Sequence, residues 1–255
     1  VSTSRKRPSR GALVSEPELY DGVAQDQRGA RDLPLWLHLA AESGGPVLEL
    51  GAGTCRVLVA LLDAGFDAHG LELDEARHAA GHRVLAAHGH DVGRLVVGDA
   101  RCWSPPQPMA LVLATFNFLA LFDDQGATEV LAAVRSNLGP GGKLAMEAQV
   151  WPGDGLARVV PKWSTRVSVE VGSETAQYRE FVQQRPRGLL RVRRQFSFDD
   201  GSKRELVQNL RIRSADRLQN MLRSAGFAVL SPVLDDQGRP PNAESRIVFI
   251  QATPG

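Results

Sequence analysis

Three carboxylates stand where short apolar runs of this chain end. Glu49 lies in Val47-Leu48-Glu49-Leu50, directly ahead of Gly51-Ala52-Gly53; Glu72 closes a second run, and Asp99 closes a third in Gly98-Asp99-Ala100. A buried strand running into glycines lets the backbone approach a ligand closely at the carboxyl edge of a parallel sheet. The spacing argues against a phosphate-led dinucleotide such as NAD or FAD, whose fingerprint needs a third glycine where Arg56 stands. The Walker spacing with Gly-Lys-Ser/Thr is absent too. Glu49, so close to the glycines, repels an anionic phosphate and favours a cationic sulfonium or ammonium group. Glu72, about 20 residues past the glycines, is placed to accept both ribose hydroxyls, and Asp99 to bracket an adenine. Together they describe a site for a positively charged nucleoside.

These acids need a parallel sheet to bring their strand ends together. From about residue 34 to 150, apolar runs alternate with helical patterns, the signature of βαβ architecture. Strands are predicted over Val47 to Leu50, Asp67 to Leu73, Arg94 to Asp99, Met109 to Phe116 and Lys143 to Val150. Met109 to Phe116 is apolar apart from Thr115, as for a strand covered on both faces. Helices fall over Arg56 to Ala64, Asp74 to His88 (capped by Asp74) and Asp123 to Leu138. Gly139-Pro140-Gly141-Gly142 turns the last of them into the fifth strand.

The period then changes. Trp163 to Arg213 reads as an antiparallel meander of three or four strands, with turn signals at 171–173, 185–188 and 199–202. Ser214 to Ala225 returns to helix, ended by Gly226. Phe227 to Leu234 and Arg246 to Ala252 are the last strands. The expected plan is a disordered basic tail over 1–15 and one domain over 16–255 that carries an insert at 160–213.

Glu49-Leu50-Gly51-Ala52-Gly53-Thr54 resembles the first motif of class I S-adenosylmethionine-dependent methyltransferases, and Gly70-Leu71-Glu72-Leu73-Asp74 their second. Gly98-Asp99-Ala100-Arg101 is similar to their third, Leu138 to Gly142 to the turn before their fifth strand, and Ala225-Gly226-Phe227 to the turn into their sixth. The resemblance implies an α/β, Rossmann-like mixed sheet of about seven strands with helices on both faces and an inserted antiparallel β-meander. It also implies S-adenosylmethionine as cofactor and S-adenosylhomocysteine as product. Carried over residue by residue, Gly51, Ala52 and Gly53 lie against the methionine portion and Glu49 acts on its ammonium. Glu72 holds the ribose with Leu73 beside it, while Asp99, Ala100 and Arg101 hold the adenine. Tyr20, in Leu19-Tyr20-Asp21, resembles the tyrosine that closes over the cofactor in many small-molecule members. Cys55 departs from the pattern, standing where the family often has a third glycine.

The stretch Ala114 to Leu119, with Thr115, is expected to face the transferred methyl group. It lacks the Asn/Asp-Pro-Pro-aromatic sequence of nucleic-acid amino methylases, and Ser104-Pro105-Pro106 falls ahead of the strand. Asn117 and Tyr178 are the catalytic candidates, with Glu147 a further base. The meander is expected to roof the substrate, as in small-molecule N- and O-methyltransferases, including those acting on amino sugars and glycine. Arg191 with Arg193, and Arg211 with Arg213, form rows that either bind an anionic substrate or serve as edge and subunit-contact residues.

Bulk composition narrows the partners. A net charge of +1 over 255 residues gives no case for nucleic acid, and no apolar run is long enough for a membrane helix. The basic N-terminus does not read as a secretory signal, and the two cysteines read as free thiols in a reducing cytoplasm, with Cys102 packing beside Trp103. The six histidines form no metal-ligand pattern; His78, His82, His88 and His90 read as a solvated helix face. The expected protein is a cytoplasmic, metal-independent methyltransferase acting on N or O of a small metabolite, anionic or sugar-linked, in biosynthesis. A homodimer through the inserted sheet is the oligomer it suggests. The alternatives are a protein or peptide methyltransferase, which needs an open groove, and a non-catalytic S-adenosylmethionine-binding subunit.

Overall fold

Strand pairing in the computed structural model, which describes residues 14–27, 29–150, 161–230, 233–235, 239–240, 242 and 245–255, follows the alternation of the sequence. β1 (Val47–Leu50), β2 (Ala68–Glu72), β3 (Leu95–Val97), β4 (Met109–Ala114) and β5 (Leu138–Gln149) pair in parallel in the order β3-β2-β1-β4-β5. A separate antiparallel sheet contains β6 (Val167–Val171), β7 (Glu174–Arg185), β8 (Leu189–Phe198) and β9 (Lys203–Arg211). β10 (Phe227–Val229), β11 (Leu234–Asp235) and β12 (Ile247–Pro254) complete the first sheet, β12 running antiparallel to β5, and β10 and β11 antiparallel to β12. The fold is the expected α/β mixed sheet plus an antiparallel insert.

Helices cover both faces of the mixed sheet. α1 (Glu16–Gln27) and α2 (Leu33–Ser43) precede it; α3 (Arg56–Asp63), α4 (Glu75–Ala87), α5 (Asp124–Asn137) and α6 (Ala215–Ser224) connect its strands. Alternate residues of each strand feed two cores. Leu48, Leu50, Val112, Leu144 and Met146 face α5 and α6, whereas Val47, Leu111, Leu113 and Ala145 face α2 and α3. The strand order reverses between β1 and β4, and a crevice opens there at the carboxyl ends. Glu49 is in register with Leu113 across that crevice.

Several boundaries differ from expectation. α1 and α2 were not predicted: their apolar residues do not form a clean stripe, and α1 is held by tertiary packing. Its N-terminus is a capping box, in which Glu18 Oε2 accepts from Ser15 N at 2.7 Å while Ser15 Oγ accepts from Glu18 N at 3.4 Å. Of the tail expected over 1–15, residues 1–13 lie outside the described residues; Val14 is buried and Ser15 caps α1. Gly139 to Gly142 is an irregularity inside β5, where the register with β4 jumps between Met109↔Leu138 and Leu111↔Lys143. The strand expected over Phe227 to Leu234 is divided into β10 and β11, with residues 231 and 232 outside the description.

The insert packs through α1 onto the glycine loop. Leu19 and Val23 join Val169, Val171, Tyr178, Phe196 and Phe198 in one buried cluster. At Gly22 a Cβ would stand 2.6 Å from Glu170 O, so only glycine allows α1 to lie this close to β6. Arg213 was expected on an exposed row with Arg211. It is instead buried, because its guanidinium satisfies carbonyls of the turn after β4. His78 and His82 were expected on a solvated face, yet both ring Nε2 atoms lie 3.2 Å from Leu95 O. Cys102 sits in an exposed turn rather than packing.

Candidate active site

The loop after β1 owes its shape to three left-handed residues, Gly51 (φ 64°), Gly53 (φ 58°) and Cys55 (φ 74°). A Cβ on Gly51 would meet Phe118 Cδ2 at 2.5 Å, so the first glycine is required by contact as well as by φ. Two bonds fasten the loop to the end of β2: Ala52 N to Leu71 O at 3.0 Å, and Gly53 N to Glu72 Oε2 at 2.8 Å. Cys55 takes up a backbone conformation that side chains other than glycine adopt at a cost of about 1 kcal/mol. Its sulfur finds room because α4 carries Gly81, where a Cβ would lie 2.8 Å from Cys55 Sγ and 3.1 Å from Gly53 O. Gly81→Ala is therefore expected to lower stability by about 1–3 kcal/mol. Adding Cys55→Gly should restore part of that loss, as thermal unfolding of the single and double variants will report. Wild-type stability in Gly81→Ala would show that α4 shifts freely.

The three acids occupy different environments. Glu72 is buried, and its Oε1 also accepts from Asp74 N at 2.8 Å; both oxygens retain lone pairs for a ligand. Glu49 is buried and its Oε1 accepts from Thr115 Oγ1 at 3.0 Å, while Oε2 has no hydrogen-bond partner among the described residues. Burial pushes the Glu49 carboxyl up to about 7. The nearby cation, Arg56, is committed to Asp32 at 2.6 and 2.8 Å. Asp99 is held low by Arg101, which wraps back onto it: Arg101 Nη2 lies 2.5 Å from Oδ2, and Arg101 N donates to Oδ1 at 3.0 Å. Arg101 thus spends both its side chain and its backbone donor on Asp99.

Two confluent lobes open between these groups. The larger, about 460 Å³, is lined by Asp21, Glu49, Ala52, Thr54 and Arg56 among others. The smaller, about 220 Å³, is lined by Glu72, Leu73, Asp99, Ala100 and Phe122 among others. Tyr20, Gly51, Gly53, Thr115 and Phe116 border both. Leu73 is 59 % exposed and Leu121 46 %, an apolar pair at the mouth of the smaller lobe suited to the faces of a flat ring. Tyr20 meets Phe116 edge-on with centroids 6.0 Å apart, and the next residue of α1, Asp21, accepts a short hydrogen bond from Thr54 Oγ1. Burial pushes Asp21 up as well.

The residues predicted for the cofactor therefore converge, Arg101 excepted. The two catalytic candidates do not reach either lobe. Phe116 (φ 47°) and Asn117 (φ 64°) form a strained reversal after β4, the kind of backbone that persists only where its surroundings over-determine it. Asn117 Oδ1 accepts from Gln149 N at 3.0 Å, bracing that reversal against the end of β5. Tyr178 is buried against Phe196 and α1, and desolvation raises the pKa of its hydroxyl. Glu147 is fully buried in β5. Sequence reasoning missed Arg77, Leu121 and Phe122, and gave Asp21 no role beyond its place beside Tyr20. The apolar ones read as ordinary core, and nothing in the spacing links Arg77 to Tyr20.

Comparison with known proteins bears on the fold and on the segment that holds the glycine loop. Residues 47–142, from β1 into β5, match the family model described as a methyltransferase domain. No curated protein sequence matches the chain. An S-adenosylmethionine-dependent methyltransferase from Clostridium acetobutylicum superposes with a TM-score of 0.77 at 13% identity, over 93% of this chain and 98% of that one. The CcbJ methyltransferase of Streptomyces caelestis gives 0.74 at 24% identity, over 89% and 90%. CalS10, an amino pentose methyltransferase of Micromonospora echinaspora involved in calicheamicin biosynthesis, gives 0.69 at 21% identity, over 93% and 95%. At these identities the superpositions speak for the fold. Residues 47–142 thus match a methyltransferase domain, and the fold of the chain is that of the class I methyltransferase structures.

Proposed function

We propose that this methyltransferase transfers a methyl group from S-adenosylmethionine to a small metabolite, with an amino nitrogen on a sugar-like acceptor favoured over oxygen. The observation that carries the donor is Glu49: a buried carboxylate with an unpartnered oxygen lines the larger lobe beside glycines shaped for close approach. A cationic ligand relieves that group; an anionic one aggravates it. Glu49 and Asp21 would face the methionine portion, Glu72 the ribose, and Leu73, Asp99 and Ala100 the adenine. Bound S-adenosylmethionine supplies an already activated methyl group and leaves as S-adenosylhomocysteine.

The protein's own contribution is alignment and exclusion of water. Tyr20 and Phe116 close the junction of the lobes, and the insert covers α1 from above. An amine attacks through its lone pair without prior deprotonation, whereas a hydroxyl needs a base. Asn117 and Tyr178 stand off the cleft, which supports an amine acceptor. Similarity to an amino pentose methyltransferase supports the same choice.

The test is parallel calorimetric titration with S-adenosylmethionine, S-adenosylhomocysteine and NAD, followed by methyl transfer to matched amino and hydroxy sugars. Micromolar binding of both adenosyl ligands, no response to NAD, and transfer to the amino sugars are expected. Silence from the adenosyl ligands in folded protein sinks the reading; transfer only to hydroxy sugars sinks its nitrogen part.

Glu49 makes the binding pH-dependent. Its value in the folded protein, about 7, lies above the ordinary 4.5, so the free protein holds the group protonated through that window. A cationic ligand requires the carboxylate, so affinity should climb as pH rises to about 7 and then level off. At pH 6 it should lie about tenfold below the plateau. By the same sign, ligand-free protein loses stability as pH rises from 4.5 towards 7. Glu49→Gln should flatten the affinity profile between pH 5.5 and 8; an unchanged slope would assign it to another group.

A further inference from the structure

Tyr20 borders both lobes, so whatever sets its ring sets the shape of the whole donor site. One face of the ring is occupied by a guanidinium: Arg77 Cζ lies 4.2 Å from the centroid. Arg77 is itself fixed at both ends. Its backbone N–H donates to Asp74 Oδ1 at 2.9 Å, in the turn that follows Glu72. Its guanidinium donates to Glu16 through Nη2 at 2.6 Å and Nε at 3.4 Å. Glu16 and Tyr20 are one turn apart on α1 and so share a face. A single arginine from α4 thereby grips an acid and an aromatic ring of α1 together. Thr54 and Asp21 make a second tie between α1 and the glycine loop.

Arg77 also lines the smaller lobe. An uncompensated guanidinium there would oppose a cationic donor across a partly desolvated gap. Glu16 cancels that charge while leaving the planar group free to stack, a combination that lysine does not reproduce. The geometry points to Arg77 as the positioning residue of the donor site, holding Tyr20 over the cofactor, with Glu16 as the partner that makes its charge tolerable to a sulfonium. This rests on the S-adenosylmethionine reading above.

S-adenosylmethionine and S-adenosylhomocysteine share the adenosine and the amino-acid chain, but only the first carries a positive sulfur. The ratio of their affinities therefore reports charge, which a merely structural role would not move. Wild type, Arg77→Gln and Glu16→Gln are titrated with both ligands, and folding is followed by thermal unfolding. Arg77→Gln should bind S-adenosylhomocysteine about five- to tenfold more weakly, with a smaller loss for S-adenosylmethionine because a cation has gone. Glu16→Gln should do the reverse, weakening S-adenosylmethionine about threefold more than S-adenosylhomocysteine. If Arg77→Gln does not fold, Arg77→Lys is the second variant, with weaker binding of both ligands at an unchanged ratio expected. Equal losses for both ligands in the two glutamine variants would overturn the proposal. So would wild-type affinity for S-adenosylhomocysteine in folded Arg77→Gln or Arg77→Lys. Wild-type protein that binds neither ligand would overturn the donor reading instead.

Discussion

Glu72→Ala is expected to weaken S-adenosylmethionine binding by about 2–3 kcal/mol, roughly 30- to 150-fold, in a protein that still folds. Two contributions combine. The proposed ribose contact is a charge-assisted hydrogen bond in a buried setting, and such bonds contribute about 1.5–3 kcal/mol. The same carboxylate accepts from Gly53 N and Asp74 N, so alanine also removes one of the two ties between the glycine loop and β2 and loosens the start of α4. Glu72→Gln keeps one acceptor oxygen and should fall between alanine and wild type. Titration with S-adenosylhomocysteine, backed by a thermal unfolding curve, separates binding from folding. An unchanged affinity in folded Glu72→Ala would remove this residue from the donor site.

The largest expected effect on stability lies outside the cleft. Arg213, two residues past β9, donates to Leu119 O at 3.1 Å, Phe122 O at 2.9 Å and Asp124 Oδ1 at 3.0 Å. It thus ties the insert to the turn carrying Phe118, Leu121 and Phe122, and Ala120 of that turn packs on the insert with Leu190, Val192, Leu210 and Ile212. Asp124 is half exposed, so its ionic share is small. The cost of Arg213→Ala comes mainly from the lost bond to Phe122 O, from Leu119 O left with only the long bond from Phe122 N at 3.4 Å, and from the volume removed. About 3–4 kcal/mol is expected, or roughly 10 °C in Tm for a domain of this size. Arg213→Lys keeps the charge but cannot reach three acceptors at once, and should recover less than half. A Tm within about 2 °C of wild type in Arg213→Ala would show that the turn is held by Ala120 and its neighbours alone.

Much of the nucleotide side was legible because its determinants are local. A strand running into Gly51-Ala52-Gly53, followed at the right distances by Glu72 and Asp99, brings backbone and carboxylates to one sheet edge whatever else the chain does. The parallel strands were legible for the same reason: β4 reads as an unbroken apolar run and β1 as one interrupted only by Glu49, as for strands covered on both faces. α1 left a local signal as well, the Ser15-Glu16-Pro17-Glu18 capping pattern. Its apolar stripe is too short to stand out, since Leu19 and Val23, one turn apart, are its large buried members and Gly22 between them answers to the close approach of β6.

What pattern could not supply was partnership across long separations. Arg77 meets Glu16 and Tyr20 from 61 and 57 residues away, and Arg213 meets the turn after β4 from about 90. An arginine on a strand row looks the same in sequence whether it faces water or a buried carbonyl. Tyr178 shows the converse, because a phenol suited to proton transfer was placed by the fold in an apolar cluster. Cys55 sits between the two cases. Its departure from the glycine pattern was visible in the sequence, but only Gly81 on a neighbouring helix explains how the loop tolerates it. The sheet, the glycine loop and the acids at its edge are written locally in the chain, because they follow from period and short-range backbone sterics. The tertiary structure decided which side chains close over that edge and which merely brace it, because burial and charge pairing depend on neighbours that the chain supplies from elsewhere.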